Sequence, residues 1–153
     1  MDLKLIGKKA LVTGSTAGIG LAIASVLARE GASVIVNGRT QARVNEAIEK
    51  IKSEYPNADF SGVAADLSTV EGAEIVTNSA PEIDILINNM GIFEPKAFEE
   101  ISDADWTKFF ETNVMSGVRL SRFYLPKMKA KDWGRIVFIS SESGVNIPVE
   151  MIH

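Results

Sequence analysis

The chain has no cysteine, which excludes disulfides, thiolate nucleophiles and cysteine-based metal sites, and suits a reducing compartment such as the cytoplasm. Its one histidine, His153, is the last of 153 residues. A zinc centre or a Ser-His-Asp triad needs an imidazole held firmly by its surroundings, so neither is expected and no residue is assigned to a metal. Nowhere do ~18 apolar residues run together, the length a membrane-spanning helix needs. Lys4, Lys8 and Lys9 break up the apolar residues near the start, so no signal peptide is expected either. An excess of positive charge is lacking too: with 16 Lys and Arg against 20 Asp and Glu the formal net charge is −4. No positive field therefore steers the chain to nucleic acid or an anionic membrane, and any phosphate it binds must be held locally. A soluble, cytoplasmic protein is the expectation.

What the chain does have is 46% hydrophobic residues, enough for one domain with a sizeable core over residues 1–153, with no compositional break or internal repeat. Short β-like runs alternate with segments of helical period, the pattern of an α/β fold in which helices cover a parallel sheet. Ala10 to Val12 reads as the first strand. The helix after it takes Ile19, Ala22, Ile23, Val26 and Leu27 as its buried stripe and stops at Gly31, a C′ glycine. Ser33 to Val36 is the second strand; Thr40 then caps a helix whose apolar positions are Val44, Ala47, Ile48 and Ile51, before Pro56 forbids continuation. The third strand covers roughly Asp59 to Ala65. Ser68 and Glu71 have capping-box spacing for a third helix ending near Pro81, and Ile83 to Ile87 is the fourth strand. Ser102 and Asp105 give a similar start to a long helix running to about Lys129 and bent near Pro126, with Trp106, Phe109, Phe110, Val114, Gly117 and Val118 inward. The unbroken apolar run Ile136 to Ile139 suits a fifth strand buried on both faces.

The stretch Leu11 to Gly20, LVTGSTAGIG, is strand, glycine turn and helix start. Such a turn aims the unpaired N–H groups of a helix's first turn, and the positive end of its dipole, at a spot that favours a phosphate. Gly14, Gly18 and Gly20 make G-x-x-x-G-x-G, which is neither G-x-G-x-x-G nor the phosphate loop of ATP-hydrolysing enzymes, and no lysine follows Gly20. A nucleotide pyrophosphate site is the sharper reading; a tight turn with close helix packing is the plainer one. Ligands of a doubly wound sheet sit beyond the carboxyl ends of its strands. Those ends carry Gly14, Ser15 and Thr16, then Asn37 and Arg39, Asp66, Asn88 and Asn89, and Ser140 and Ser141. All five are polar or glycine.

These motifs together, TGSTAGIG at 13 to 20, Asp66-Leu67, NNMG at 88 to 91, Asn113 in the long helix and ISSESG at 139 to 144, resemble the short-chain dehydrogenase/reductase family, with the general look of its 3-oxoacyl-carrier-protein reductase-like branch. The resemblance implies a Rossmann fold with strand order 3-2-1-4-5 that binds a nicotinamide dinucleotide and exchanges hydride with a small carbonyl or alcohol substrate. It places Gly14, Ser15, Thr16, Gly18, Ile19 and Gly20 at the cofactor, Asp66 and Leu67 beside the adenine, and Asn89, Met90 and Gly91 along the cofactor. Met90 stands where the family usually has alanine. Ser141, three residues before Gly144, matches the serine that orients the substrate carbonyl, and a hydroxyl there stabilises developing negative charge. Asn113 matches a member of the proton relay; read from its spacing alone, it is a partly buried amide that needs partners. NADP(H) is favoured over NAD(H), because the second strand ends in Asn37, Gly38 and Arg39 with no carboxylate to accept from a ribose 2′-OH. Gly38 leaves room for a 2′-phosphate, and Arg39 can pair with it bidentately.

The family's acid/base is the tyrosine of a Y-x-x-x-K helix. Tyr55 and Tyr124 are the two tyrosines, and neither has a lysine four residues on. The expectation is a dinucleotide-binding Rossmann domain over 1–153 that ends before that helix and turns over little or nothing, with an exposed fifth-strand edge that drives homo-oligomerisation. A dinucleotide-binding or interaction module that never catalyses is the alternative.

Overall fold

The computed structural model describes residues 3–153. Five parallel strands, β1 (Lys9–Val12), β2 (Ser33–Gly38), β3 (Phe60–Ala64), β4 (Ile85–Asn88) and β5 (Arg135–Phe138), form one sheet in the order β3-β2-β1-β4-β5. β1 is central, with Leu11 opposite Ile35 of β2 and Leu86 of β4. Strand alternation sends its side chains to two cores. Ala10 and Val12 join Val34, Val36, Ile85 and Ile87 beneath helices α1 (Gly18–Arg29) and α2 (Gln41–Glu54). Leu11, Ile35 and Leu86 meet α3 (Val70–Ser79) and α5 (Ser116–Ala130) on the other face. Each buried Val, Leu or Ile contributes about 1.5–3 kcal/mol, so this double-sided core is the main stabilising element of the fold.

Several elements differ in detail from the sequence expectation, each for a packing reason. In α1 the buried row is Gly20, Ala24 and Ala28, flanked by Leu21, Ile23 and Leu27, while Ile19 is 65% exposed and Val26 is exposed as well. Small residues at i, i+4 and i+8 let the helix lie close on the sheet, and the bulky ones move to its flanks. The cap of α3 is Thr69, whose hydroxyl accepts from Gly72 N–H at 3.0 Å, rather than Ser68. Ser68 is taken by Asp66, which accepts from both its N–H and its hydroxyl. The caps at Thr40 and Ser102 form as expected, the latter as a full capping box with Asp105.

The long helix is two helices, α4 (Asp103–Phe110) and α5, joined by a π-helical turn over Glu111–Met115. Its inward row is Phe109, Thr112, Ser116, Leu120, Tyr124 and Met128, whereas Phe110 is 55% exposed and Trp106 and Val114 also face outward. Pro126 lies inside α5, which continues to Ala130. The Tyr124 ring is fully buried and its hydroxyl donates to the Ala80 carbonyl at 2.8 Å, fixing α5 to the end of α3; burial pushes this phenol well above its ordinary pKa. β5 is not buried on both faces. It is an edge strand, and Val137, Phe138 and Ile139 remain 42%, 55% and 40% exposed.

Candidate functional site

Where β1, β2, β3 and β4 end, a crevice of about 370 Å³ opens along one edge of the sheet. Its walls come from the β1–α1 turn (Gly14, Thr16), the β2–α2 link (Arg39), the residues after β3 (Asp66, Ser68) and the loop after β4 (Asn89 to Ile92), closed by Lys108 and Thr112.

Two buried polar residues build this edge. Thr13 Oγ1 accepts from the N–H groups of Asn89 and Met90, both at 2.9 Å, and the Asn89 amide donates back to the carbonyls of Thr13 and Gly14. Asn37 makes the equivalent link on the other side: its amide nitrogen donates to the carbonyls of Val63 and Ala65, and its Oδ1 accepts from Gly14 N–H. The glycine turn is thus fastened to both neighbouring strand ends. Sequence reasoning placed Asn37 at a strand end without this role and did not single out Thr13. The signal available was a lone amide closing the apolar run VIVN, since a buried amide must find partners.

The turn residues divide into three groups. Gly14 and Thr16 line the crevice. Gly18 and Ile19 are exposed at the start of α1, and the Gly18 backbone, at φ +55°, has open space where a side chain would stand. The α1 start has no side-chain cap, whereas α2, α3 and α4 are capped by Thr40, Thr69 and Ser102. Its first N–H groups are left for a ligand or water. Ser15 and Gly20 lie beneath the wall: Ser15 is wholly buried, its hydroxyl donating to the Val12 carbonyl and accepting from Asn37 N–H. A Cβ on Gly20 would stand 2.5 Å from both Asn89 Nδ2 and the Gly14 carbonyl oxygen.

Arg39 and Asp66 both line the crevice, and Arg39 has no hydrogen bond or ion pair among the described residues. Gly38 lines the crevice beside Arg39. A Cβ there would stand 2.4 Å from Thr16 Cγ2, so the glycine also serves packing of the turn. Leu67 is wholly buried in the core and does not reach the crevice. Met90 lines the crevice and packs against that same core, filling space as an unbranched thioether can.

Asn113 and Ser141 lie outside the crevice lining. Asn113, expected to be partly buried, is exposed on the π-turn and closes on Ile92 with both halves of its amide: Oδ1 accepts from Ile92 N–H at 2.7 Å and Nδ2 donates to the Ile92 carbonyl at 3.0 Å. One N–H and one lone pair of that amide stay available. Ser141 is exposed after β5, and its Oγ accepts from Ser143 N–H at 3.2 Å, leaving its proton free to donate. Among the described residues no helix is long and apolar enough to cross a membrane.

Residues 8–152 match the family model of short chain dehydrogenases. The chain is 52% identical over all 153 residues to the uncharacterized oxidoreductase YvaG of Bacillus subtilis and covers 58% of that protein. It is 40% identical to the 3-oxoacyl-[acyl-carrier-protein] reductase FabG of Aquifex aeolicus, covering 94% of this chain and 59% of the other. The crystal structure of L-sorbose reductase from Gluconobacter frateurii, complexed with NADPH and L-sorbose, superposes over 99% of this chain and 59% of its own with a TM-score of 0.92 at 35% identity. The chain spans under three fifths of the length of these proteins. It belongs to the short-chain dehydrogenase family of oxidoreductases.

Proposed function

We propose that this chain is the dinucleotide-binding part of an oxidoreductase that uses NADP(H) on a small carbonyl or alcohol substrate. The observation that carries the reading is a single crevice lined at one place by Ala17, the N-cap residue of the otherwise uncapped α1, and at another by the unpaired Arg39. The residues present fit such a group: open space over Gly18 receives a pyrophosphate, the first N–H groups of α1 bind it, and Arg39 pairs with a 2′-phosphate. Asp66, with Asn89, Met90 and Gly91, forms the wall along the remainder. When bound, the nicotinamide supplies or accepts the hydride.

Ser141 then orients the substrate by donating its free hydroxyl proton to the carbonyl oxygen, a bond that strengthens as negative charge develops. Asn113 positions the loop after β4 through Ile92, and its remaining N–H and lone pair can hold a water on a proton path. Neither tyrosine serves as proton donor. Tyr124 is buried with its hydroxyl committed to Ala80, and Tyr55 has Asp59 rather than lysine four residues on. Residues 1–153 alone should therefore bind cofactor without turnover, and the activity of the whole enzyme depends on a tyrosine and lysine supplied from elsewhere. A module that binds without ever catalysing is the second reading, favoured by the same two tyrosines.

Titration with NADPH and NADH tests the cofactor assignment; tighter binding of NADH overturns the role of Arg39. Oxidation of NADPH by residues 1–153 with a carbonyl substrate would overturn the assignment of the proton donor.

A further inference from the structure

Arg43 has no place in the reading so far, yet its side chain lines the same crevice as Arg39. Its backbone is fixed in the first turn of α2, where its N–H donates to the Thr40 hydroxyl at 3.5 Å. Its guanidinium has no hydrogen bond or ion pair among the described residues, and neither has that of Arg39. Among the described residues no neighbouring group pairs with it. The first turn of α2 contains no acid. Gln41 is bonded to Asn45 at 2.7 Å. Asp66, the one carboxylate on the crevice wall, takes both bonds from Ser68 on Oδ1, at 3.0 and 2.7 Å, and forms no ion pair with either arginine. In a chain of net charge −4, this crevice therefore carries two unpaired guanidiniums, one from the β2–α2 link and one from the helix.

We propose that Arg43 is a second specificity-determining arginine, closing with Arg39 on the 2′-phosphate of NADP(H). The proposal rests on the NADP(H) reading above. Two guanidiniums bordering one crevice suit an anion of higher charge than a single arginine needs. A phosphomonoester carries about −1.5 to −2 charge at neutral pH and three acceptor oxygens, enough for two guanidinium forks. The 2′-hydroxyl of NAD(H) has no charge to give, so Arg43 contributes to one cofactor and not to the other. This makes it a determinant of choice rather than of binding in general.

The test is fluorescence titration of the wild-type chain and of Arg39→Ala, Arg43→Ala and Arg43→Lys with NADPH and NADH, and with adenosine 2′,5′-bisphosphate against 5′-AMP. Arg43 is exposed in a first helical turn, and unchanged far-UV circular dichroism verifies the fold of each variant. Arg43→Ala should weaken NADPH and the bisphosphate about ten- to hundredfold, the range for a hydrogen-bonded charged group, and leave NADH and 5′-AMP unchanged. Arg43→Lys should recover part of the loss, since a point charge replaces a fork. A wild-type preference for NADPH that falls in Arg39→Ala but persists in Arg43→Ala overturns this proposal alone. A wild type that binds NADH at least as tightly as NADPH overturns it together with the reading it rests on.

Discussion

Thr13 and Asn89 hold each other twice: the Thr13 hydroxyl oxygen accepts from the Asn89 N–H at 2.9 Å, and the Asn89 amide donates back to the Thr13 carbonyl at 3.0 Å. The same hydroxyl accepts from Met90 N–H and donates to the Ile87 carbonyl. One oxygen thereby fastens the glycine turn after β1 to the loop after β4. Thr13→Val keeps the shape and removes the oxygen, leaving two partly buried N–H groups unpaired at a cost of about 1–3 kcal/mol. Thr13→Ser should retain nearly wild-type stability. Urea denaturation of the two variants measures the difference, and equal stability would show that the hydroxyl is dispensable.

Gly18 and Gly20 answer to different constraints, which predicts different rescue behaviour. Gly20→Ala drives a Cβ into Asn89 and the Gly14 carbonyl, and such overpacking costs about 1–3 kcal/mol. Gly18→Ala meets nothing but must hold φ +55°, a strain of about 1–2 kcal/mol. Asparagine tolerates that backbone region, so Gly18→Asn should recover most of the loss in thermal unfolding. Gly20→Ser should recover none, because there the obstacle is contact and not conformation.

The two-sided sheet and the polar edge were legible in the sequence, because the apolar runs and glycine positions that create them are local patterns, whereas the strand order followed from the resemblance to the family. The details that failed depend on neighbours. Which face of α1 is buried was decided by Gly20, Ala24 and Ala28 fitting close to the sheet, where the eye follows Ile19 and Val26. The outward-facing Val114 lies in a π-turn, and no residue between Glu111 and Met115 announces an extra residue in a helical turn. Asn113 reads from its spacing as a partly buried amide, but its backbone partner, Ile92, is 21 positions away. Asn37 and Thr13 act across strands, so their partners appear only once β1, β2, β3 and β4 are side by side.

The edge strand predicts self-association. β5 pairs with β4 on one side only, and Val137, Phe138 and Ile139 are 40% or more exposed. Burying one such side chain in a contact contributes about 1.5–3 kcal/mol, and an open, apolar edge is a template for another chain. Sedimentation velocity of residues 1–153 should show species larger than a monomer. Val137→Lys should shift them toward monomer, as charges on edge strands do. A monodisperse wild-type monomer would refute the prediction.

Acid sensitivity should arise from the capping box of α4. Asp105 accepts from Lys96 Nζ at 2.8 Å and from the hydroxyl and N–H of Ser102 at 2.8 and 3.0 Å. The Lys96 bond first, and then the two from Ser102, hold its carboxyl well below the usual carboxylate range, while its own pull raises Lys96. A carboxyl depressed in the folded state stabilises fully above its unfolded pKa of about 3.9, and that contribution drains away as pH falls below it. Raising Lys96 acts at the opposite end: its contribution is complete below the ordinary lysine range and is lost as pH rises through the raised value. Asp105→Asn removes the titrating group, so its melting temperature should lie below wild type at pH 7, fall less steeply between about pH 4 and pH 2, and meet the wild-type curve at the acid end. Both side chains are at the surface, and added salt should shrink the gap at pH 7. Parallel curves for the two proteins would exclude the Lys96–Asp105 pair as the source of acid sensitivity.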